Sequence, residues 1–414
     1  MRVLMLSWEY PPVVVGGLGR HVHALARHLA AQGHEVVVLC RQAGGTDAST
    51  HPGTDAVADG VRLVRAAEDP PHLTFEHDLV AWTLAMGHAM LRAGYRLLRE
   101  WCPDVVHAHD WLVTHPAIAL ADACSVPLVA TVHATEAGRH GGWLSQSHNR
   151  QIHSVEWWLA QRADALITCS AAMRDEVSAL FELPPERITV LHNGIEPRTW
   201  EVPEHAVAAA RAGRGRAPLL LHFGRLEFEK GVQDLLAALP LIRQRHRGTE
   251  LVIAGRGSYQ NRLRERADEL GVSARFAGHL PDTDLAALLA AADAVVLPSR
   301  YEPFGVVALE AAAAGTPLVA STAGGLGELV VDGRTGVTFP PAAPERLADA
   351  VSRVLADPAA ARIRARRAKS RLRNDFDWHT IAAGTAAVYA AAVPGAHPAL
   401  ARPKIATGNV LDRR

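Results

Sequence analysis

The sequence predicts an α/β protein made of two Rossmann-like domains that face each other across a central cleft. Short β-branched runs alternate with longer helical segments from the first residue onward, which is the pattern of a parallel sheet covered by helices on both faces. A chain of 414 residues is too long for one ordinary core and suits two domains of roughly 150 to 200 residues. Each half also carries its own Gly-Gly-Leu-Gly, at 16–19 and 324–327, which indicates two copies of one architecture.

Apolar runs bounded by turn residues predict the strands of each half. In the first half they are Val3 to Trp8, Glu35 to Cys40, Val61 to Val64, Val105 to His109, Leu128 to His133, Leu166 to Cys169 and Ile188 to Leu191. In the second half they are Leu219 to Phe223, Leu251 to Ala254, Ala294 to Pro298 and Pro317 to Ser321. Residues 193–197 and the basic, Ala/Gly-rich stretch 206–218 predict the hinge. Residues 393–414 are rich in Pro, Ala and Arg and predict a mobile tail.

Composition excludes several classes of protein. Acidic and basic residues cancel at 43 each, so no excess charge favours a nucleic-acid partner. The four cysteines form no C-x-x-C pair, which favours free thiols in a reducing compartment over disulfides or zinc. The N-terminus lacks the features of a signal peptide, and no apolar run approaches the roughly 20 residues of a membrane span. We therefore expect a cytoplasmic protein with no integral membrane association.

The first glycine loop, with Gly16 and Gly17, follows a predicted strand and precedes a predicted helix. Its backbone amides and the helix N-terminus can approach an anion closely, so a phosphate or a sugar is the expected ligand. Glycines in such a turn can also serve packing alone. The loop is not G-x-G-x-x-G, and no acidic residue stands where a nicotinamide ribose needs one, which counts against a dehydrogenase.

Two cations follow the first strand of the second half. Arg225 ends a buried strand and Lys230 stands just before the next helix, so both can point at one diphosphate above the sheet. A departing diphosphate needs such charge, because no acid easily protonates it. The alternative interpretation, which the second motif below disfavours, is that both are solvated loop charges.

A second motif follows the predicted strand Ala294 to Pro298. A loop carries Glu302, and a helix is predicted to start near Phe304, so the amides of Phe304, Gly305 and Val306 can bind phosphate oxygens. The helix rises about 9 Å from Phe304 to Glu310, which matches the reach from a diphosphate to the far side of its ribose. Glu310 can then hold ribose hydroxyls while Glu302 faces the sugar. An acid within an apolar helix is costly to bury without partners.

These motifs resemble those of the family 4 glycosyltransferases of the GT-B fold. The likeness spans nearly the whole chain and includes MRVLMLSWEYPPVVVGGLGRHVHALARHLAAQGHEVVVL, VVHAHDW, TVHATEAGRHGGW and PSRYEPFGVVALEAAAAGTPLVAS. Within the family it is nearest to glycogen synthase-like members, including the mycobacterial α-(1→4)-glucosyltransferases of methylglucose lipopolysaccharide and glycogen synthesis. The resemblance implies a retaining hexosyltransferase that transfers glucose from UDP-glucose or ADP-glucose to an oligo- or polysaccharide acceptor, an α-glucan or a methylglucose polysaccharide. It implies no required cofactor beyond this nucleotide-sugar substrate.

The resemblance also implies a role for each matching donor-site residue. Arg225 and Lys230 would stabilise the departing diphosphate, Glu310 would bind the ribose, and Glu302 would contact the hydroxyls of the transferring glucose. Residues 198–378 would form the nucleotide-sugar-binding domain. The family's usual Gly-x-Gly-Pro turn near the base is Ala-Gly-Arg-Gly-Ser at 254–258, which leaves the choice between uridine and adenosine open.

In the first half, the resemblance implies that His133 holds the sugar near its 6-hydroxyl and that Asp110 lies close to the reacting centre. Gly16 and Gly17 would supply amides to the phosphates or the sugar. Residues 1–197 would form the acceptor-binding domain, completed by a returning helix at about 380–392.

Some features have competing interpretations. A sugar-nucleotide 2-epimerase and a non-catalytic nucleotide-sugar sensor are the alternative functions. The segment 282–284, Asp-Thr-Asp, predicts a helix cap rather than a metal site. His107 and His109 share a strand face without an evident third ligand, so we expect no required protein-bound metal. The segment 136–154 predicts a mobile loop that binds a sugar chain or forms a homodimer contact.

Overall fold

The computed structural model describes residues 1–13, 16–42, 52–67, 72–75, 77–212, 215 and 217–393. The predicted tail beyond residue 393 lies outside these residues, as do residues 213, 214 and 216 of the predicted hinge stretch. Within the described ranges, none of the helices is long and apolar enough to cross a membrane. All four cysteines fall in this part of the chain and are free thiols.

The described part of the first half contains one eight-stranded sheet. Its strands are β1 (Arg2–Ser7), β2 (Glu35–Arg41), β3 (Thr54–Ala58), β4 (Val61–Ala66), β5 (Val105–His109), β6 (Leu128–Val132), β7 (Ala165–Thr168) and β8 (Ile188–Val190). Their order across the sheet is β3-β4-β2-β1-β5-β6-β7-β8, and every pairing is parallel except β3 with β4. The central strands are buried along nearly their whole length, as expected where helices cover both faces.

Helices connect the strands of this first unit. They are α1 (Gly17–Ala31), α2 (Leu79–Leu97), α3 (Thr114–Cys124), α4 (Glu136–Arg139), α5 (Ser147–Arg162) and α6 (Ala171–Phe181). Helix α1 is amphipathic, and it buries Val22, Leu25 and Leu29 against the sheet.

The second half contains a six-stranded parallel sheet within the described residues. Its strands are β9 (Leu219–Phe223), β10 (Glu250–Ala254), β11 (Arg275–Gly278), β12 (Ala294–Leu297), β13 (Leu318–Ser321) and β14 (Val337–Phe339), in the order β11-β10-β9-β12-β13-β14. Its helices are α7 (Glu204–Arg211), α8 (Val232–Arg245), α9 (Gln260–Glu269), α10 (Asp282–Ala291), α11 (Val306–Ala314), α12 (Gly325–Leu329), α13 (Pro344–Ala356) and α14 (Pro358–Asp375).

The last helix, α15 (Trp378–Ala392), packs against α1 of the first unit. Trp378 and Tyr389 are buried in the same apolar cluster as the strands β1 and β2. The phenol of Tyr389 lies 2.7 Å from Nδ1 of His107 on β5. The chain therefore returns to the first sheet after completing the second.

The strand order places one switch point in each sheet. In the first sheet, the connections run outward in opposite directions from the neighbouring strands β1 and β5, and in the second from β9 and β12. Ligands of open parallel sheets bind in the crevice beyond the carboxyl ends of such strands. A ligand site is therefore expected at the residues that follow β1, β5, β9 and β12.

Several predictions of local structure are wrong. The apolar pattern does not predict the strands β3, β11 and β14, because β3 is exposed along its whole length and the other two are short edge strands without an apolar run. The predicted hinge stretch overlaps the end of helix α7, whose Ala-rich sequence has high helix propensity, and its role as a hinge stays a prediction. The segment 136–154 contains α4 and the start of α5, so it is not a loop throughout.

Candidate active site at the two switch points

The loops after β9 and β12 are joined by backbone hydrogen bonds. The amides of Arg300 and Tyr301 both donate to the carbonyl of Glu229, at 2.7 and 3.2 Å. Gly231 has φ +67°, and a Cβ on it would lie 2.0 Å from the carbonyl oxygen of Pro298, so only glycine allows this approach. The fold thus brings together residues that are about 70 positions apart in the sequence, such as Lys230 and Glu302, which are 72 positions apart.

This approach pairs Lys230 with Glu302. Lys230 Nζ donates to Glu302 Oε2 at 2.9 Å, and the Ser299 hydroxyl donates to the same oxygen at 3.1 Å. The Lys230 and Glu302 side chains are only 16% and 10% exposed, so this ion pair is largely removed from water. The hydrogen bond fixes the position of the Lys230 ammonium at the carboxyl edge of the sheet.

Arg225 lies in the turn directly after β9. Its guanidinium is 41% exposed and lies 3.7 Å from Glu229 Oε1. The turn is held by the Leu226 amide, which donates to the carbonyl of Arg256 at 2.9 Å. Arg225 therefore belongs to the same pair of loops as Lys230, but its ion-pair partner is Glu229.

Helix α11 begins beside these loops. It starts at Val306, two residues later than predicted, because Phe304 precedes an N-cap glycine, Gly305, with φ +103°. The first N–H groups of a helix have no partner within the helix and carry partial positive charge. The rise from Val306 to Glu310 is then about 6 Å, shorter than the expected 9 Å.

The first glycine loop faces this helix from the other unit. A Cβ on Gly17 would lie 4.0 Å from Val306 Cγ2, so the loop after β1 lies against the start of α11. The Gly16 amide instead donates to Glu9 Oε2 at 3.0 Å, within its own unit. Of the two amides predicted to bind phosphate or sugar, that of Gly16 is therefore engaged by a carboxylate.

Glu310 is buried within α11 and is reached from the first unit. Arg20 on α1 donates to Glu310 Oε1 at 3.4 Å and to Asp282 Oδ1 at 3.0 Å. Burial raises the pKa of Glu310 to about 7, Arg20 opposes this shift, and Asp282 adds to it. The sequence predicts that Asp282 caps α10, but the N-cap residue is Pro281, and the Asp282 carboxylate accepts a hydrogen bond from Arg20 instead.

At the other switch point, Asp110 directly follows β5. Its backbone has φ +63° and ψ 175°, a region that is essentially restricted to glycine and costs about 1–3 kcal/mol for other residues. Its Oδ1 accepts the His133 amide at 2.7 Å, and this anchors the residue that follows β6. Burial raises the pKa of Asp110 to about 6, while the hydrogen bond from His133 acts in the opposite direction.

His133 belongs to a histidine cluster that sequence reasoning missed. His109 Nδ1 lies 3.2 Å from His133 Nε2, and a ligand nitrogen of His21 joins them, so that all three lie within 4.8 Å of one another. Burial lowers the pKa of His133 to about 3 and holds the pKa of His21 and His109 well below the ordinary value. The three imidazoles are therefore neutral near pH 7. The pair expected from the strand pattern, His107 with His109, is not the group that the fold assembles, because His107 is bonded on both nitrogens to Tyr389 and Thr131.

A cavity of 640 Å³ lies beside the loop after β12. Its wall includes residues 137–142 of the segment predicted to bind a sugar chain, together with Glu176, Phe228 and Tyr301. The Tyr301 hydroxyl donates to Glu176 Oε1 at 2.9 Å, which links the two units at this cavity. A mainly apolar cavity that also contains charged side chains, such as Glu176 and Arg300, and one exposed aromatic ring, that of Phe228, suits a carbohydrate.

Sequence reasoning did not identify Glu9, Arg20, His21 or Tyr301 as site residues. Two of them carried a usable signal, because Arg20 and His21 directly follow the Gly-Gly-Leu-Gly of the first loop. The other two are recognised only by their partners in space, Gly16 for Glu9 and Glu176 for Tyr301.

Comparison with known proteins gives consistent matches for both halves. Residues 15–199 match the family described as Glycosyltransferase Family 4, and residues 209–371 match Glycosyl transferases group 1. The chain is 58% identical over 402 residues to a glycogen synthase of Mycobacterium tuberculosis, a match that covers 95% of this chain and 96% of the relative.

Solved structures share the arrangement of the two units. A sucrose-phosphate synthase from Thermosynechococcus elongatus aligns with a TM-score of 0.81 at 24% identity, over 94% of this chain and 98% of the other. The Anabaena protein HepE, solved in complex with UDP and glucose, aligns with a TM-score of 0.74 at 23% identity, over 94% and 100%. At these identities the likeness concerns the fold.

Proposed function

Because the chain belongs to the family 4 glycosyltransferases, we propose that it is a retaining α-(1→4)-glucosyltransferase that uses UDP-glucose or ADP-glucose. The acceptor is an α-glucan or a methylglucose polysaccharide. Family membership makes the chain a glycosyltransferase, and its two facing parallel sheets form the GT-B fold. The identity to a mycobacterial glycogen synthase supports the choice of glucose and of an α-glucan acceptor.

The observation that carries this proposal is the Lys230–Glu302 pair beside the start of α11. When the bond between glucose and the diphosphate breaks, negative charge develops on the leaving oxygen. Lys230, Arg225 and the first amides of α11 are the positive groups that neutralise it, and the low exposure of Lys230 strengthens its effect. Glu302 keeps Lys230 oriented and accepts a hydrogen bond from a hydroxyl of the transferring glucose.

Glu310 binds the ribose of the donor. A carboxylate can accept hydrogen bonds from both ribose hydroxyls, and Glu310 lies about one helical turn from the start of α11. Arg20 contacts this carboxylate across the two units, so the nucleotide either shares Glu310 with Arg20 or displaces it.

His133 and Asp110 form the first unit's part of the site. The neutral imidazole of His133 can exchange hydrogen bonds with a sugar hydroxyl, and Asp110 fixes its position through the backbone amide. We propose that the departing phosphate takes the proton of the acceptor hydroxyl on the same face of the sugar. This front-face route retains the anomeric configuration and needs no covalent nucleophile.

A donor and acceptor panel tests the proposal directly. UDP-, ADP- and GDP-glucose would each be incubated with a short maltooligosaccharide and with a methylglucose oligosaccharide, followed by linkage analysis of the product. We expect α-(1→4) extension with the uridine or the adenosine donor. Nucleoside diphosphate release without any extended glycan, or extension through another linkage, would contradict the assignment.

The alternative functions give different products. A 2-epimerase would convert the donor alone into an isomeric sugar nucleotide, and a sensor would bind the donor without turnover. Family membership does not favour either one.

A further inference from the structure

We propose that His21, His109 and His133 form a binding site for a borderline divalent cation such as Zn²⁺, and that the bound ion inhibits glucosyl transfer. Imidazole nitrogens suit Zn²⁺, Co²⁺, Ni²⁺ and Cu²⁺, whereas Mg²⁺ and Ca²⁺ prefer oxygen ligands. Three histidines and one open position are the ligand set of many zinc sites.

The ring positions fit such an ion. The ring centroid of His21 lies 5.6 Å from that of His109 and 4.7 Å from that of His133. The centroids of His109 and His133 are 5.5 Å apart, so the three pairwise distances differ by less than 1 Å. Zinc–nitrogen bonds of 2.0–2.1 Å in tetrahedral geometry place ligand nitrogens about 3.3 Å apart. His109 Nδ1 and His133 Nε2 are already 3.2 Å apart, and the three ligand nitrogens all lie within 4.8 Å. A contraction of roughly 1 to 1.5 Å at the third nitrogen therefore completes the site.

The cluster also contains polar atoms that lack a partner. His21 Nδ1 and His109 Nε2 are buried without a hydrogen-bond partner among the described residues. An unsatisfied buried nitrogen costs free energy, and an ion bound at His21 Nδ1 would recover it there; His109 Nε2 is not the nitrogen beside His133, so the ion would leave it unchanged. His107 does not compete for the ion, because the Tyr389 and Thr131 oxygens lie 2.7 Å from its two nitrogens.

Burial prepares the imidazoles for metal binding. Histidine binds a metal in its neutral form, and burial keeps the pKa of His133 at about 3 and those of His21 and His109 well below the ordinary value. The ion therefore displaces no protons from these rings near neutral pH. The secondary structure fixes the ligands on three separate elements, α1, β5 and the residue after β6, so the site is formed by the folded first unit.

The inhibitory effect rests on the proposed function, whereas the binding does not. His133 is the residue assigned to the donor sugar, so an ion that takes its imidazole nitrogen removes this contact and occupies space beside the sugar. We therefore expect Zn²⁺ to raise the KM for the nucleotide sugar, reversibly on addition of a chelator.

The test uses Co²⁺ as a spectroscopic probe on full-length protein without an affinity tag. Four-coordinate Co²⁺ with nitrogen ligands absorbs strongly in the visible range, and we expect this band to saturate at one ion per chain. Excess Mg²⁺ should not bleach it. Loss of an outer-shell partner commonly weakens metal binding about 10- to 100-fold, so His21→Asn should weaken it by more than about 100-fold. His222→Asn is the matched control, because His222 is also buried with an unpartnered Nε2 but lies in the second unit.

Circular dichroism establishes that each variant is folded, and His21→Gln replaces His21→Asn if the latter is not. Absence of the visible band in the wild-type protein, or an unchanged band in a folded His21 variant, overturns the metal site. A saturable band with no effect of Zn²⁺ on transfer overturns the inhibitory role and with it the placement of His133 against the donor sugar. It leaves the donor panel to decide the proposed activity on its own.

Discussion

Replacing Lys230 by methionine separates the proposed catalytic role of the Lys230–Glu302 pair from its contribution to stability. The substitution keeps the aliphatic length of the side chain and removes the charge that is proposed to face the leaving diphosphate. Losing one well-placed charge-stabilising group costs about 10² to 10³ in rate, or about 2.7–4 kcal/mol of transition-state free energy. Since Lys230 is 16% exposed, solvent screening reduces this effect little, and we expect a loss of kcat/KM within that range.

The same substitution leaves a largely buried carboxylate without its cation. Breaking a buried ion pair by removing one partner costs about 3–5 kcal/mol of stability. Because Ser299 still donates to Glu302 Oε2, we expect the lower end, about 3 kcal/mol. The double variant Lys230→Met, Glu302→Gln removes the stranded charge and should recover most of this stability without recovering activity.

Urea unfolding and initial rates of nucleoside diphosphate release measure the two effects. Lys369→Met is the control, because the Lys369–Glu201 pair is exposed, with 3.7 Å between its charged atoms, and should be worth less than about 1 kcal/mol. A folded Lys230→Met enzyme with wild-type kcat/KM would refute the role of Lys230 in leaving-group stabilisation. Recovery of activity in the double variant would refute it as well, because that variant lacks both charges.

Substitutions of Glu310, Asp110 and Gly231 test other parts of the site. Nucleotide affinity measured by calorimetry should fall as the pH drops through about 7, because the buried Glu310 carboxyl then gains a proton. Glu310→Gln should bind the nucleotide weakly at every pH. Arg20→Gln should move the midpoint of the wild-type pH dependence to higher pH, because Arg20 lowers the pKa of Glu310. Asp110→Gly should be more stable in thermal unfolding than Asp110→Ala by about 1–3 kcal/mol, because only alanine retains the strain of the positive φ. Both variants should be poor catalysts. Equal stabilities would show that the backbone relaxes. Gly231→Ala should lower stability and donor affinity more than the control Gly271→Ala does. Each of these glycines has a positive φ, but only a Cβ at Gly231 would meet a backbone carbonyl. Equal losses of stability in thermal unfolding would contradict this reason.

The sequence is informative where the chain is apolar and periodic. Strands β1, β5, β9 and β12 are buried runs that end at a change of composition, so both their existence and the position of their loops are predictable. The edge strand β3 has no such signal, since its five residues are exposed and are held by pairing with β4. Edge strands depend on a neighbour that sequence patterns do not reveal.

Some residues of the candidate site are likewise predictable from local sequence, whereas others are not. Lys230 and Glu302 each follow the end of a predicted strand, so their residue types and positions are enough to indicate a ligand. The contact between Arg20 and Glu310 joins residues 290 positions apart, one from each unit, and no local pattern specifies it. The histidine cluster is hidden in the same way, because His21 comes from a helix and His109 from a strand.

The loop after β12 also makes contacts with the first unit, so the sequence of one half alone could not predict the candidate site. Its Pro303 carbonyl accepts the Ser170 hydroxyl of the first unit at 2.6 Å, and its Tyr301 hydroxyl donates to Glu176 on α6. These two contacts lie on either side of Glu302 in sequence, so the first unit holds the loop that orients Lys230. Contacts within the second unit already hold Lys230 against Glu302, and these two contacts add support from the first unit. The proposed stabilisation of the leaving diphosphate by Lys230 should therefore be strongest when the two units are in contact.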